Sequence, residues 1–190
     1  MPSVSKWRRL KRRRLHDYRI FESVVETARS PRTGETHDFY VLESANWVNV
    51  VALTPKNEVV LIKQYRHGTR RVELEIPGGM INRRESPVHA GRRELREETG
   101  YDSPDARVIG EVAPNPAYQR NTCYTVLVQN ARPVCGTQFD HAEDIAVELT
   151  PLKAIRGLLR RGKIQHSLVV VAFLWLHMFL AGKKPIKVLG

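Results

Sequence analysis

The alternation of apolar and polar positions divides the chain into short β-type segments first and helices later. Phe21 to Thr27 suits a strand, Ser30-Pro31-Arg32-Thr33-Gly34 a turn, and Asp38 to Leu42 a return strand. This pair predicts a small antiparallel subdomain ahead of the main fold. The core is expected to begin at Trp47, with a strand over Val48 to Thr54, a turn at Pro55-Lys56-Asn57-Glu58, and Val59 to Tyr65 as the hairpin partner. A further strand, Val72 to Ile76, runs into Pro77-Gly78-Gly79. Ser86 is placed as an N-cap, Pro87 as the first helical residue and Gly100 as the stop of that helix. Strands follow over Cys123 to Val128 and Ile145 to Leu149. A helix opens at Thr150-Pro151 and stops near Gly162. The last helix, from about Ser167, is apolar nearly all round, which predicts burial on most sides. Strands followed by strands alternating with helices predict an α/β (α+β) fold, a mixed sheet covered by helices.

Charge changes this picture at one end only. The formal net charge is +11 over 190 residues, yet Lys6, Arg8, Arg9, Lys11, Arg12, Arg13 and Arg14 precede any acid. The remainder, +4, does not call for a polyanion. The basic run, with Trp7, Leu10 and Leu15, reads as a short, weakly amphipathic helix or as unstructured chain. The resulting domain expectation is a basic extension over 1–16, a strand subdomain over 17–46 and a main domain over 47–190. Cys123 and Cys135 match no disulfide framework or zinc spacing, and the bland expectation is two reduced thiols. The basic start is not followed by an apolar stretch, and Ser167 to Ala181 is shorter than the roughly 20 residues that span a bilayer. A cytoplasmic protein with no membrane partner is the expectation.

The chemistry concentrates between Gly79 and Tyr101, where the sequence reads G-x5-E-x7-R-E-L-x-E-E-x-G-Y. At 100° per residue from Pro87, Glu94, Glu97 and Glu98 fall within one arc of about 100° beside an apolar stripe of Val88, Gly91 and Leu95. Like charges four residues apart destabilise a helix by a few tenths of a kcal/mol. A magnesium ion, which takes oxygen ligands, would reverse that sign. Arg93 is expected to brace Glu97 or Glu85, and Gly78 and Gly79 to let the backbone turn with carbonyls free to face a cation. A solvated charged face would explain the carboxylates, but not the offsets of Gly79, Glu85, Arg93 and Gly100.

These 23 residues resemble the signature of Nudix hydrolases at every defined position. The resemblance implies an α-β-α sandwich around a mixed sheet, and hydrolysis of nucleoside diphosphates linked to another group. It implies Glu94 and Glu98 as metal ligands, Glu97 as a ligand directly or through water, the Gly78 carbonyl completing the site, and Gly79, Glu85, Arg93 and Gly100 as structural. The cofactor expected is magnesium, with manganese as the alternative. The flanks Trp47 to Thr54, Val60 to Gly68 and Glu73 to Gly79, with Pro116 beyond, resemble the branch acting on ADP-ribose and related nucleoside diphosphate sugars. By that likeness the N-terminal strand pair is a dimerisation subdomain and the protein a homodimer. Arg66, Glu73, Trp47 and Tyr18 are the candidate substrate-binding residues. The branch often carries two glutamates before the strand at Ile145; here Phe139-Asp140-His141-Ala142-Glu143-Asp144 keeps one of them. Glu143 is therefore the first choice as base and a metal ligand, with Asp140, His141 and Asp144 behind it, and Glu97 is the other candidate catalytic carboxylate. Two other readings stand beside this one. One keeps the fold with dinucleotide polyphosphates or a nicotinamide dinucleotide as substrate. In the other, a binder uses the basic start to hold nucleic acid, against which the intact Glu94, Glu97 and Glu98 count.

Overall fold

The computed structural model describes residues 4–139 and 144–182. In chain order its elements are β1 (Arg8–Asp17), β2 (Glu22–Arg29), β3 (Thr36–Glu43), β4 (Trp47–Ala52), β5 (Glu58–Arg66), β6 (Arg71–Glu75), β7 (Gly78–Met80) and α1 (Pro87–Thr99). There follow β8 (Tyr101–Asp102), β9 (Ala106–Val112), β10 (Gln119–Arg120), β11 (Cys123–Val128), β12 (Arg132–Pro133), β13 (Ile145–Pro151), α2 (Leu152–Arg160) and α3 (Ser167–Leu180). They form two compact units. One runs through Ala45 and resumes over Ala113–Thr122; the other takes Asn46–Val112 and the chain from Cys123 onward.

The first unit is a four-stranded sheet in the order β1-β2-β3-β10. β2 and β3 pair antiparallel from Glu22↔Glu43 to Arg29↔Thr36, and the turn between them is held by the Ser30 hydroxyl, which accepts from the Arg32 and Thr33 N–H groups. The basic run is neither helix nor unstructured: Arg8–Asp17 is a strand paired with β2. Its cations meet carboxylates from distant chain, Arg9 with Glu26, Arg12 with Glu43 and Arg14 with Glu22. No local pattern could reveal those partners.

The second unit holds two larger sheets and the helices. β7-β4-β11-β9 is mixed, with β11 parallel to β4 and antiparallel to β9; β13-β5-β6 is antiparallel throughout. The expected hairpin of β4 with β5 does not form. Both edges of β4 are already taken, by β11 and β7, so the turn at residues 55–58 sends β5 into the other sheet. Only the bridge Leu53↔Val59 joins the two strands. The Thr54 hydroxyl fixes this turn by accepting from the N–H groups of Lys56 and Glu58.

Helix α1 begins and ends where its sequence signals stand. Ser86 accepts from the His89 N–H at 3.2 Å, Pro87 opens the helix, and Gly100 closes it at φ 75° with its N–H donating to the Arg96 carbonyl. Its buried face, Ala90, Gly91 and Leu95, packs on Val48, Val50, Val126 and Val128. The opposite face of the same strands, Val51, Leu53 and Leu127, packs on α2 and α3 through Ile155, Val169, Ala172, Phe173 and Leu176. Helices therefore cover both faces, as expected of a sandwich. α3 departs from expectation in one respect: Val170 and Leu174 are exposed, so the helix buries one broad face rather than most of its circumference. Among the described residues no helix is long and apolar enough to cross a membrane. Cys123 and Cys135 are both free, and burial pushes the Cys123 thiol up to about 12.

Candidate active site

The loop from β7 to α1 is tied to the helix by one guanidinium. Arg93 donates through Nε to Glu85 Oε1 and through Nη2 to Glu85 Oε2, both at 3.0 Å. Nη2 also donates to the Met80 carbonyl at 3.0 Å. Nη1 is shared by Glu94 Oε1 at 2.9 Å and Glu97 Oε2 at 3.0 Å. Of the two bracing partners left open in the sequence, Glu85 and Glu97, Arg93 thus takes both, and Glu94 besides. Glu85 further accepts from the Asn82 N–H at 3.0 Å and contacts His89 Nδ1 at 2.9 Å. The Arg93 hydrogen bonds, outweighing burial, hold the Glu85 carboxyl down to about 2. The same pairing raises the Arg93 guanidinium further above its ordinary value.

Two glycines bring this helix edge against β7. Gly79 stands directly over Glu94: a Cβ there would lie 2.4 Å from Oε1 and 2.5 Å from Cδ, so the carboxylate occupies the space of the missing side chain. Gly78 stands opposite Asn49, and its N–H leaves the ladder to donate to Glu98 Oε2 at 3.0 Å. In an antiparallel ladder the N–H and carbonyl of one residue point the same way, so the Gly78 carbonyl is turned from β4 as well. Glu98 is only 3 % exposed, an ionisable group whose burial calls for a strong partner.

The carboxylate oxygens of Glu94, Glu97 and Glu98 and the Gly78 carbonyl along this edge are the donor type of hard divalent cations rather than of copper. Three carboxylates, Glu85, Glu94 and Glu97, meet one guanidinium there, and a fourth, Glu98, accepts from the Gly78 N–H. The residues fit such an ion. Among the described residues no three acidic, imidazole or thiol groups already form a cage, and Glu94 and Glu97 share Arg93 Nη1. An incoming cation would compete with one guanidinium for them.

The remaining candidates stand on other elements. Trp47 opens β4, half-buried between Met80 and Cys123 in register. Arg66 closes β5 and grips Glu75 by two parallel bonds, Nε to Oε1 at 2.8 Å and Nη2 to Oε2 at 2.9 Å. Glu73 is buried on β6 opposite Gln64. Tyr18 belongs to the first unit and packs between His16 and Phe21, with centroids at 4.6 Å and 4.8 Å. Glu143, with Asp140 and His141, lies outside the described residues; Asp144 is exposed. Sequence reasoning missed Glu75, a buried carboxylate whose one visible signal was a basic residue at the far end of the neighbouring strand. His89 is solvent-exposed, and its Nδ1 meets Glu85.

Comparison with known proteins gives a consistent result. Residues 43–171 match the NUDIX domain model. The chain is 25% identical over 172 residues to the methanol dehydrogenase activator of Bacillus methanolicus, covering 89% of this chain and 91% of that protein. It is 27% identical over 171 residues to the ADP-ribose pyrophosphatase of Mycobacterium tuberculosis, covering 88% and 82%. A crystal structure of an ADP compounds hydrolase superposes with a TM-score of 0.84 over 96% of this chain and 98% of that one, at 23% identity, a likeness of fold.

Proposed function

The chain belongs to the NUDIX domain family, and from that premise we propose that it is a magnesium-dependent pyrophosphohydrolase of nucleoside diphosphate sugars such as ADP-ribose or GDP-mannose. The products are a nucleoside monophosphate and a sugar phosphate. The observation that carries this reading is the line of helix carboxylates drawn onto Gly78 and Gly79 and held in register by Arg93. Kinship with a protein named ADP-ribose pyrophosphatase supports the substrate class.

Glu94, Glu97 and Glu98, with the Gly78 carbonyl, would hold the ion, and Glu143 would join them. When bound, a divalent cation supplies charge neutralisation of the diphosphate and acidifies a water. The protein's own part is positional and acid–base. Arg93 and Glu85 fix the loop so that the helix carboxylates keep their spacing. Glu143, with Glu97 as the other candidate, takes the proton of the attacking water. Glu73, Trp47 and Tyr18 are assigned to the substrate. Arg66 is assigned to a phosphate oxygen.

Product analysis tests this. ADP-ribose and GDP-mannose are incubated side by side with magnesium, with manganese and with chelator. Metal-dependent release of AMP or GMP is expected. Hydrolysis of dinucleotide polyphosphates or NADH alone, with both sugars left intact, would refute the substrate assignment.

A further inference from the structure

The N-terminal sheet divides its cations between two faces. Side chains in register across neighbouring strands share a face. Arg9, Arg12, Arg14 and Asp17 of β1 stand in register with Ala28, Glu26, Val24 and Glu22 of β2, and these with His37, Phe39, Val41 and Glu43 of β3. Arg120 of β10 stands beside Glu43. On this face the charges cancel: Arg9 and Arg120 bind Glu26 at 3.0 Å, Arg14 binds Glu22 at 3.0 Å, and Arg12 and Arg120 both bind Glu43. The guanidinium of Arg12 holds the Glu43 carboxyl below the usual range, and that of Arg120 does the same for Glu26.

The other face has no such compensation. Arg8, Lys11, Arg13 and His16 stand in register with Arg29, Thr27, Val25 and Ser23, and these with Thr36, Asp38, Tyr40 and Leu42. Arg8, Lys11, Arg13 and Arg29 are all exposed, and none has a carboxylate at ion-pair distance among the described residues. The one acid of that face, Asp38, accepts from the Thr27 hydroxyl at 2.6 Å. Two register shifts, at Leu10 and at Leu15, produce the division. Strict alternation beyond Arg9 would send Arg12 and Arg14 to the uncompensated face; the bulge at Leu10 returns them to the carboxylates and leaves Lys11 and Arg13 outside. In the row Arg13–Val25–Tyr40, Val25 is 8 % exposed and Tyr40 is 68 % exposed. A phenol therefore stands open beside a column of unpaired cations.

We propose that this face binds single-stranded nucleic acid, with Arg8, Lys11, Arg13 and Arg29 on the phosphates and Tyr40 stacked on a base, while a dimer built on the same strands would use the compensated face. Charge complementarity sets the polyanion. The exposed ring favours a single strand, because a duplex hides its base faces. A lipid surface would need an aliphatic wedge, and the central aliphatic residue of this face, Val25, is buried.

The test is fluorescence anisotropy of the full chain with labelled 15-mers of RNA and of DNA in the same sequence, titrated at several salt concentrations. Four phosphate contacts on a single strand predict a log–log salt slope near −3, about a 50-fold loss of affinity between 50 and 200 mM salt. The double variant Lys11→Gln/Arg13→Gln should roughly halve that slope. A control that removes equal charge from α2, Lys153→Gln/Arg156→Gln, should match wild type within about twofold. Tyr40→Ala should weaken binding about tenfold and Tyr40→Phe restore it, since stacking needs the ring and not the hydroxyl. A preference between the two oligomers identifies the natural strand. The proposal is overturned if neither oligomer binds at 50 mM salt, or if the α2 control loses as much affinity as the β1 variant. It is also overturned if phosphatidylserine vesicles sediment the protein while both oligomers fail. Circular dichroism and melting of each variant separate lost binding from lost fold.

Discussion

Adjacent glycines should fail in opposite ways when each is replaced by alanine. Neither has a positive φ, so the backbone itself tolerates a side chain. At Gly79 the new methyl would meet Glu94 Oε1 at 2.4 Å, Cδ at 2.5 Å and Oε2 at 2.7 Å, where 3.4 Å is ordinary contact. These atoms end a flexible side chain, which can retreat by about 1 Å. The retreat costs about 0.5–1.5 kcal/mol in an off-rotamer Glu94 and a similar amount for the Arg93–Glu94 hydrogen bond. Gly→Ala returns about 0.4–1 kcal/mol through the unfolded chain. The net is about 1 kcal/mol, or a fall of about 2–4 °C in melting temperature for a chain of this size. Activity has no such compensation. A carboxylate moved by about 1 Å in a reacting site costs about 100-fold in turnover. At Gly78 the methyl would lie 2.3 Å from the Val48 carbonyl oxygen, which belongs to the backbone of a central strand. Relief there requires the β7/β4 ladder to part, at a cost of about 3 kcal/mol or more. Calorimetric melts and steady-state rates at saturating magnesium decide the matter. Gly79→Ala should melt near wild type and turn over poorly, while Gly78→Ala should melt lower by about 6–12 °C. Near-normal turnover in Gly79→Ala, or equal melting of the two, would refute the placing of Glu94 against Gly79 as the feature that matters.

Glu98→Gln keeps an oxygen to accept the Gly78 N–H, so its melting temperature should stay within a few degrees. Its turnover should fall by about two orders of magnitude or more, and near-normal turnover at saturating magnesium would remove Glu98 from the ligand set. Glu85 carries the clearest pH signature. Its folded carboxyl sits at about 2, below the ordinary 4.5, so its stabilisation is complete above 4.5 and disappears as pH falls towards 2. Discounted for solvent screening, that is about 1–2 kcal/mol. Glu85→Gln should therefore melt several degrees lower at pH 7, with the gap narrowing to about a quarter by pH 2.5; parallel melting curves across that window would contradict it. A homodimer built on the strands between Phe21 and Leu42 should give twice the chain mass in light scattering at micromolar concentration, and a monomer mass would dispose of it.

What the sequence disclosed about the fold follows the range of the interactions involved. α1 was legible because Ser86, Pro87 and Gly100 act within one helical turn of their own positions. The partner of β5 was not, since alternation shows that a segment is a strand and is silent on which edges are already occupied. β9 escaped notice because Gly110 interrupts its run of β-formers. That glycine is required by contact with α3: a Cβ there would lie 2.3 Å from the Trp175 ring. β1 was misread for the same reason, its repulsion being relieved by Glu22, Glu26 and Glu43, which lie on other strands.

The carboxylate edge was legible as a set because three glutamates at helical spacing must share a side. The distribution of Arg93 among them was not. A guanidinium presents five donors in a plane, and sequence spacing names the neighbours without saying how the donors divide. The division has a consequence for folding. Arg93 gives Glu85 two donors and gives Glu94 and Glu97 one nitrogen between them. The bidentate pair anchors the loop, and the shared nitrogen supplies the countercharge that lets like charges sit on one edge before any cation arrives. An ion that draws Glu94 and Glu97 away removes only the shared contact and leaves the Glu85 pair intact. Removing Glu85 and removing Glu98 should accordingly separate stability from turnover.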